Sequence, residues 1–172
     1  MFYRRLNAYL REAFGCKVYK LSRAGGFTCP NPDGTRGTGG CWFCSGSGSG
    51  EFAATGENIR AQLTEAKKWV EKKCKGGKYI AYFQSFTNTY APVERLEYLF
   101  DHALHDPLFG GIAIATRPDC LDEERISLLK RLKQKYPDKC FWVELGLQTI
   151  HPSSSIFIRR GYPLSVFDAC VK

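Results

Sequence analysis

Apolar residues recur along this chain with two alternating periods. Phe2, Leu6, Leu10, Ala13 and Phe14 fall at helical spacing and Gly15 stops the run, which predicts an amphipathic first helix lying on something larger. Lys17 to Ser22 (KVYKLS) then alternates as a strand. From Glu57 to Cys74, the positions Ile59, Leu63, Ala66, Trp69 and Val70 make one helical face, closed by Gly76 and Gly77. Lys78 to Gln84 (KYIAYFQ) reads as a second strand, and Pro92 opens a helix whose inward face is Val93, Leu96, Leu99, Phe100 and Ala103. Gly111 to Thr116 is a near-continuous apolar strand, as expected where both faces are covered. Asp122 stands where it can cap a helix with Ile126, Leu128, Leu129 and Leu132 inward. Cys140 to Leu147 forms a fourth strand, with Trp142, Glu144, Gly146 and Gln148 sharing one face. Residues 152–172 begin another helical crossover.

Strand and helix in regular alternation mean an α/β fold with a parallel sheet, whose ligands sit at the carboxyl ends of the strands. Polar residues gather at those ends: a cysteine loop after the first strand, Gln84-Ser85 and Thr87-Asn88-Thr89 after the second, Thr116-Arg117-Pro118-Asp119 after the third, and Glu144 to Gln148 at the fourth. Four polar groups on one rim favour an enzyme. Glu144, a carboxylate in apolar company, either pairs with a base or faces a cavity that binds a ligand.

The first of these loops is Cys29-Pro-Asn-Pro-Asp-Gly-Thr-Arg-Gly-Thr-Gly-Gly-Cys41-Trp-Phe-Cys44. Cys41 and Cys44 can point at one centre, and the intervening prolines and glycines let the backbone bring Cys29 back towards them. A structural zinc site wants four protein ligands, whereas a 4Fe-4S cluster on three cysteines keeps one iron open for a small molecule. Both remain open at this level, because Cys16 with Cys29, Cys41 and Cys44 makes a four-cysteine zinc set, and hence a non-catalytic RNA-binding module. The Ser-Gly run at 45–50 reads as a linker, a close approach of backbone to ligand, or a phosphate cradle.

Charge and cysteine content narrow the classes. Lys+Arg number 25 against 17 Asp+Glu, a net charge of +8 that favours an anionic partner, although much of the excess falls on solvated helix faces. The N-terminus is charged and amphipathic rather than a signal peptide, and no apolar run approaches about 18 residues, so a cytoplasmic protein is expected. Eight cysteines there are free thiols or metal ligands rather than disulfides. Cys74, Cys120, Cys140 and Cys170 are scattered one per element and read as core or surface thiols, with Cys120 nearest the rim.

The cysteine loop with Phe43 before its last thiol, followed by FQSFTNTYAPVERL, IATRPDCL and WVELGLQTIHPSS with IRRGY, resembles the radical SAM superfamily. Eleven residues separate Cys29 from Cys41, where the common superfamily pattern has three, and that longer gap is similar to a YhcC-type branch related to the elongator-type and coproporphyrinogen-oxidase-type proteins. The resemblance implies a partial TIM-like (β/α) barrel, with 1–172 as the N-terminal portion of a radical SAM core domain comprising about the first four β/α units of the usual six. It implies that Cys29, Cys41 and Cys44 ligate a 4Fe-4S cluster and that S-adenosylmethionine chelates the open iron. Reductive cleavage of that cofactor then yields a 5'-deoxyadenosyl radical that abstracts hydrogen from substrate.

By the same resemblance, Phe43 lies near the adenine, Gln84 and Ser85 occupy the place of a Gly-Gly-Glu segment that holds the methionine amine, and Glu144 and Gln148 approach cofactor or substrate. Arg117 is placed to meet a substrate carboxylate or phosphate, and a lumen lined by Tyr82, Phe86 and Trp142 excludes water. An external one-electron donor of flavodoxin or ferredoxin type is implied, with RNA, tRNA or an anionic small molecule as substrate. A chain that stops after four strands is also open to the reading of an inactive fragment.

Overall fold

A computed structural model of the chain describes residues 3–46, 48, 64, 68 and 77–172. Along it run α1 (Leu6–Phe14), β1 (Val18–Arg23), β2 (Lys78–Phe83), α2 (Val93–His105), β3 (Phe109–Thr116), a single 3-10 turn (Pro118–Cys120), α3 (Glu123–Lys135), β4 (Cys140–Leu145), α4 (Pro152–Phe157) and α5 (Leu164–Cys170). Apart from residues 64 and 68, the helix expected over 57–74, with Cys74, lies outside the described residues, as does part of the Ser-Gly run.

The fold is α/β. Among the described residues the strands form one parallel sheet in sequence order, β1-β2-β3-β4, with no reversal of direction along the sheet. Parallel neighbours need crossovers, and the helical faces of α2 and α3 supply apolar covers for one side. Leu21, Tyr79, Ala81, Phe83, Ile112 and Ile114 point to that side, where Leu96, Phe100, Leu104, Leu128 and Leu132 complete the main core. The rings of Phe83 and Phe100 meet edge to face at 4.8 Å. Asp122 caps α3 by accepting the Arg125 backbone N–H at 3.1 Å.

The other face is lined by the alternate residues. Val18, Ile80 and Ala113 lie beneath Leu10 of α1, with Phe14, Tyr82 and Trp142 around them. The first helix therefore covers the amino-terminal end of this face. Gly111 is fixed by how closely β3 meets β4, since a Cβ there would stand 2.1 Å from the Cys140 carbonyl oxygen.

Two boundaries differ from those the sequence suggests. β4 ends at Leu145 rather than Leu147: the Gly146 N–H still reaches the Thr116 carbonyl at 3.0 Å, but Gln148 turns to φ 64° and Arg160 takes the carbonyls of Leu147 and Thr149 at 2.9 and 2.6 Å. A buried guanidinium thus replaces the sheet ladder. The crossover expected over 152–172 is two short helices separated by the stretch 158–163. Among the described residues no helix is long and apolar enough to cross a membrane.

Candidate functional site

The cysteine loop leaves the carboxyl end of β1 and folds on itself before returning. The Arg36 N–H bonds the Pro30 carbonyl at 2.8 Å, Asp33 accepts the Thr35 N–H at 2.9 Å, and Asp33 and Thr38 form an isolated antiparallel bridge. A turn closes Cys41 on Cys44, with the Cys44 N–H reaching the Cys41 carbonyl at 3.1 Å. Short polar and proline-glycine residues favour such turns, which is why a stretch without apolar periodicity still takes a defined path.

The stretch 158–162 fastens this loop to the sheet. The Trp42 N–H donates to the Ile158 carbonyl at 3.1 Å, and the Asn31 side-chain amide donates to the Arg159 carbonyl at 2.6 Å. Arg117 grips the Asp119 carboxylate through Nε and Nη2, both at 2.8 Å, and sends Nη1 to the Arg160 carbonyl at 3.0 Å. Its guanidinium also lies 4.9 Å from the Tyr162 ring centre. Loop, β3 exit and β4 exit are in this way tied together by buried polar groups whose hydrogen bonds are met.

Cys29, Cys41 and Cys44 all face one cavity of about 500 Å³ over the carboxyl ends of β2, β3 and β4. Tyr82, Phe86, Thr116, Glu144, Gln148 and Tyr162 complete much of its wall. The Cys41 thiol is drawn down to about 6, chiefly because Cys44 donates to it, with Asn31 and the charge of Arg117 acting in the same direction against burial. Cys44 is pushed up in turn, as the donor of that bond and by burial. Asn31 Nδ2 stands 3.0 Å from Cys41 Sγ, and Arg117 Nη1 stands 3.9 Å from Cys29 Sγ. N–H groups aimed at sulfur, beside a thiol that ionises near neutral pH, are the donor chemistry of a thiolate-ligated metal centre.

Among the described residues no three His, Cys, Asp or Glu side chains converge closely enough to hold a single ion. Cys16 is also displaced from the loop: it precedes β1 whereas the loop follows it, and six strand residues span roughly 20 Å. The four-cysteine zinc set is not assembled.

The other expected residues divide. Phe43, Arg117, Glu144 and Gln148 line the cavity beside the thiols. Gln84 and Ser85 do not: Gln84 donates to Ser22 Oγ at 3.0 Å, and Ser85 is buried, joined to Gln84 by a cis peptide. Arg117 is at the wall, yet its donors are taken by Asp119 and the Arg160 carbonyl, so it supports the loop rather than offering a free charge. Trp142 lies deeper, under α1, while Tyr82 and Phe86 do reach the cavity. Thr89 and Asn88 are buried ties, with Thr89 Oγ1 2.5 Å from Thr116 Oγ1 and Asn88 Nδ2 donating to the Ser85 and Ala115 carbonyls at 2.9 Å. Cys120 is buried, which pushes its thiol up to about 12.

Glu144 satisfies both sequence alternatives. It faces the cavity and also pairs with Lys20 of β1, whose ammonium sits 4.3 Å from the centre of the Tyr82 ring and 5.5 Å from that of Trp142. Burial, with the bond to Glu144, pushes Tyr82 up to about 12. Lys20, Asn31, Arg160 and Tyr162 are site residues that the sequence did not single out. Only Lys20 carried a signal, its parity with Val18 and Ser22 on the inner face.

No family model matches the chain. It is 46% identical over 166 residues to the uncharacterized protein YtqA of Bacillus subtilis, covering 96% of this chain and 51% of that protein. It is 36% identical over 159 residues to the protein YhcC of Escherichia coli, covering 92% of this chain and 50% of that one. An uncharacterized protein of Methanocaldococcus jannaschii is 31% identical over 169 residues, with 95% and 50% covered. The chain spans about half the length of the curated relatives it matches.

Proposed function

We propose that this chain carries the cluster-binding portion of a radical SAM enzyme, built as the first units of a (β/α) barrel. The observation that supports the reading is the presence of three thiols, one of them a thiolate at neutral pH, on a single cavity over the carboxyl ends of a parallel sheet. Cys29, Cys41 and Cys44 would hold a 4Fe-4S cluster, which would supply one electron to S-adenosylmethionine for its cleavage to methionine and a 5'-deoxyadenosyl radical able to abstract hydrogen. Phe43 offers an adenine an aromatic face, and Gln148 and the Glu144 carboxylate offer polar contacts across the cavity. Tyr82, Phe86 and Tyr162 limit water at the wall. An external flavodoxin- or ferredoxin-type donor would supply the electron. The +8 charge supports RNA, tRNA or an anionic small molecule as substrate, and a cytoplasmic setting suits so many free thiols.

The test is anaerobic reconstitution with iron and sulfide, metal analysis, and electron paramagnetic resonance of the dithionite-reduced chain with and without S-adenosylmethionine. We expect a 4Fe-4S signal that the cofactor perturbs, lost in Cys29→Ala, Cys41→Ala and Cys44→Ala and kept in Cys16→Ala. Zinc at one per chain with no cluster signal, equally sensitive to Cys16→Ala, would overturn the proposal. A cluster indifferent to the cofactor would reduce it to a non-catalytic iron-sulfur module.

A further inference from the structure

Resting on that reading, we infer that Asn31 is a positioning residue for the Cys41 thiolate: its side-chain amide sets the reduction potential of the cluster and couples that sulfur to the segment closing the cavity. Nδ2 stands 3.0 Å from Cys41 Sγ and 2.6 Å from the Arg159 carbonyl oxygen. Both partners are acceptors, so the end of the amide that faces them is the nitrogen, whose two hydrogens serve one partner each. The oxygen is turned the other way, into a niche that the lack of a side chain at Gly37 leaves open. A Cβ on Gly37 would stand 2.2 Å from Oδ1, and one on Gly161, where φ is 82°, would stand 3.4 Å from it. The residue is 3% exposed, and these contacts leave its amide one orientation.

A turn-forming Asn needs only local backbone partners, and this one reaches a carbonyl 128 residues further along the chain. An N–H donated to a cluster thiolate draws charge from the sulfur and favours the reduced, more negative state, which raises the potential. Arg117 Nη1 reaches Cys29 from 3.9 Å with its charge engaged by Asp119, so the nearer N–H donor to a thiol of the loop is Asn31. Arg160 and Tyr162, which line the cavity, follow directly on the carbonyl that shares the amide. The same side chain therefore holds both a proposed ligand and a cavity wall.

The experiment is a redox titration, followed by electron paramagnetic resonance, of the reconstituted wild-type chain, Asn31→Ala and Asn31→Asp. A pulsed measurement on wild type carrying 15N only in asparagine side chains accompanies it. The midpoint is expected to move to more negative potential in Asn31→Ala, and further in Asn31→Asp, which keeps the shape and replaces the donor by a carboxylate. The labelled wild type is expected to show a 15N coupling to the reduced cluster. If Asn31→Ala does not fold, the isosteric variant and the labelled wild type decide. Unchanged midpoints with no 15N coupling would overturn the inference and leave the cluster reading intact. A wild-type chain that takes up no cluster would instead overturn that reading and the inference with it.

Discussion

At the scale of single residues, Cys41 and Cys44 behave as an unequal pair. The donated S–H of Cys44 stabilises the Cys41 thiolate, and the same bond withholds ionisation from Cys44. In the metal-free, reduced chain, iodoacetamide should therefore modify Cys41 well before Cys44, with a rate that rises through about pH 6 and is flat above neutrality. Peptide mass spectrometry across a pH series measures this. In Cys44→Ala, where the donor is gone, the rise should move towards the ordinary thiol range; an unmoved profile would show that Asn31 and Arg117 alone hold Cys41 down. The sign follows from the thiolate being the nucleophile: a depressed value adds reactive species between the shifted and the ordinary titration range.

At the scale of elements, stability is concentrated where α2 crosses β2 and β3. Phe100 is fully buried and its ring meets Phe83, so Phe100→Ala removes a large side chain from the main core and should cost about 3–5 kcal/mol in urea unfolding. A loss below about 1 kcal/mol would mean the core can repack around the gap. These elements were legible from sequence because the apolar face of each helix recurs at 3.6 residues and each strand shows its alternation or its continuous apolar run. Asp122 announced its helix for a local reason as well, since a cap reaches only its own first turn. The thiol loop was legible as chemistry, because cysteine is scarce and its spacing informative. Asn31 was not: within Cys-Pro-Asn-Pro-Asp-Gly it reads as a turn residue, and its partners are a sulfur ten residues on and a carbonyl 128 residues on. Arg160 has the same character, because carbonyls at Leu147 and Thr149 leave no mark in a side-chain pattern. The rim residues Thr89 and Asn88 were polar for the sake of joining strand ends rather than of meeting a ligand.

At the scale of the whole molecule, the sheet is uneven in how well it is covered. β2 and β3 are buried on both sides, whereas among the described residues β1 has only β2 and β4 only β3 beside it, and Val143 on the outer face of β4 is 38% exposed. Unpaired strand edges recruit other edges. This chain is expected to self-associate with rising concentration, and Val143→Lys should reduce light scattering without lowering the unfolding midpoint; scattering that is unaffected would locate the contact elsewhere. The tie between the thiol loop and the stretch 158–162 has a consequence in time. Asn31 and the Arg159 carbonyl are 128 residues apart, so at a synthesis rate of roughly 5–20 residues per second the thiols precede their fastening by on the order of ten seconds. During that interval the loop is already made and the wall bearing Arg160 and Tyr162 is not. The three thiols therefore reach their fixed arrangement only once the stretch 158–162 has been made.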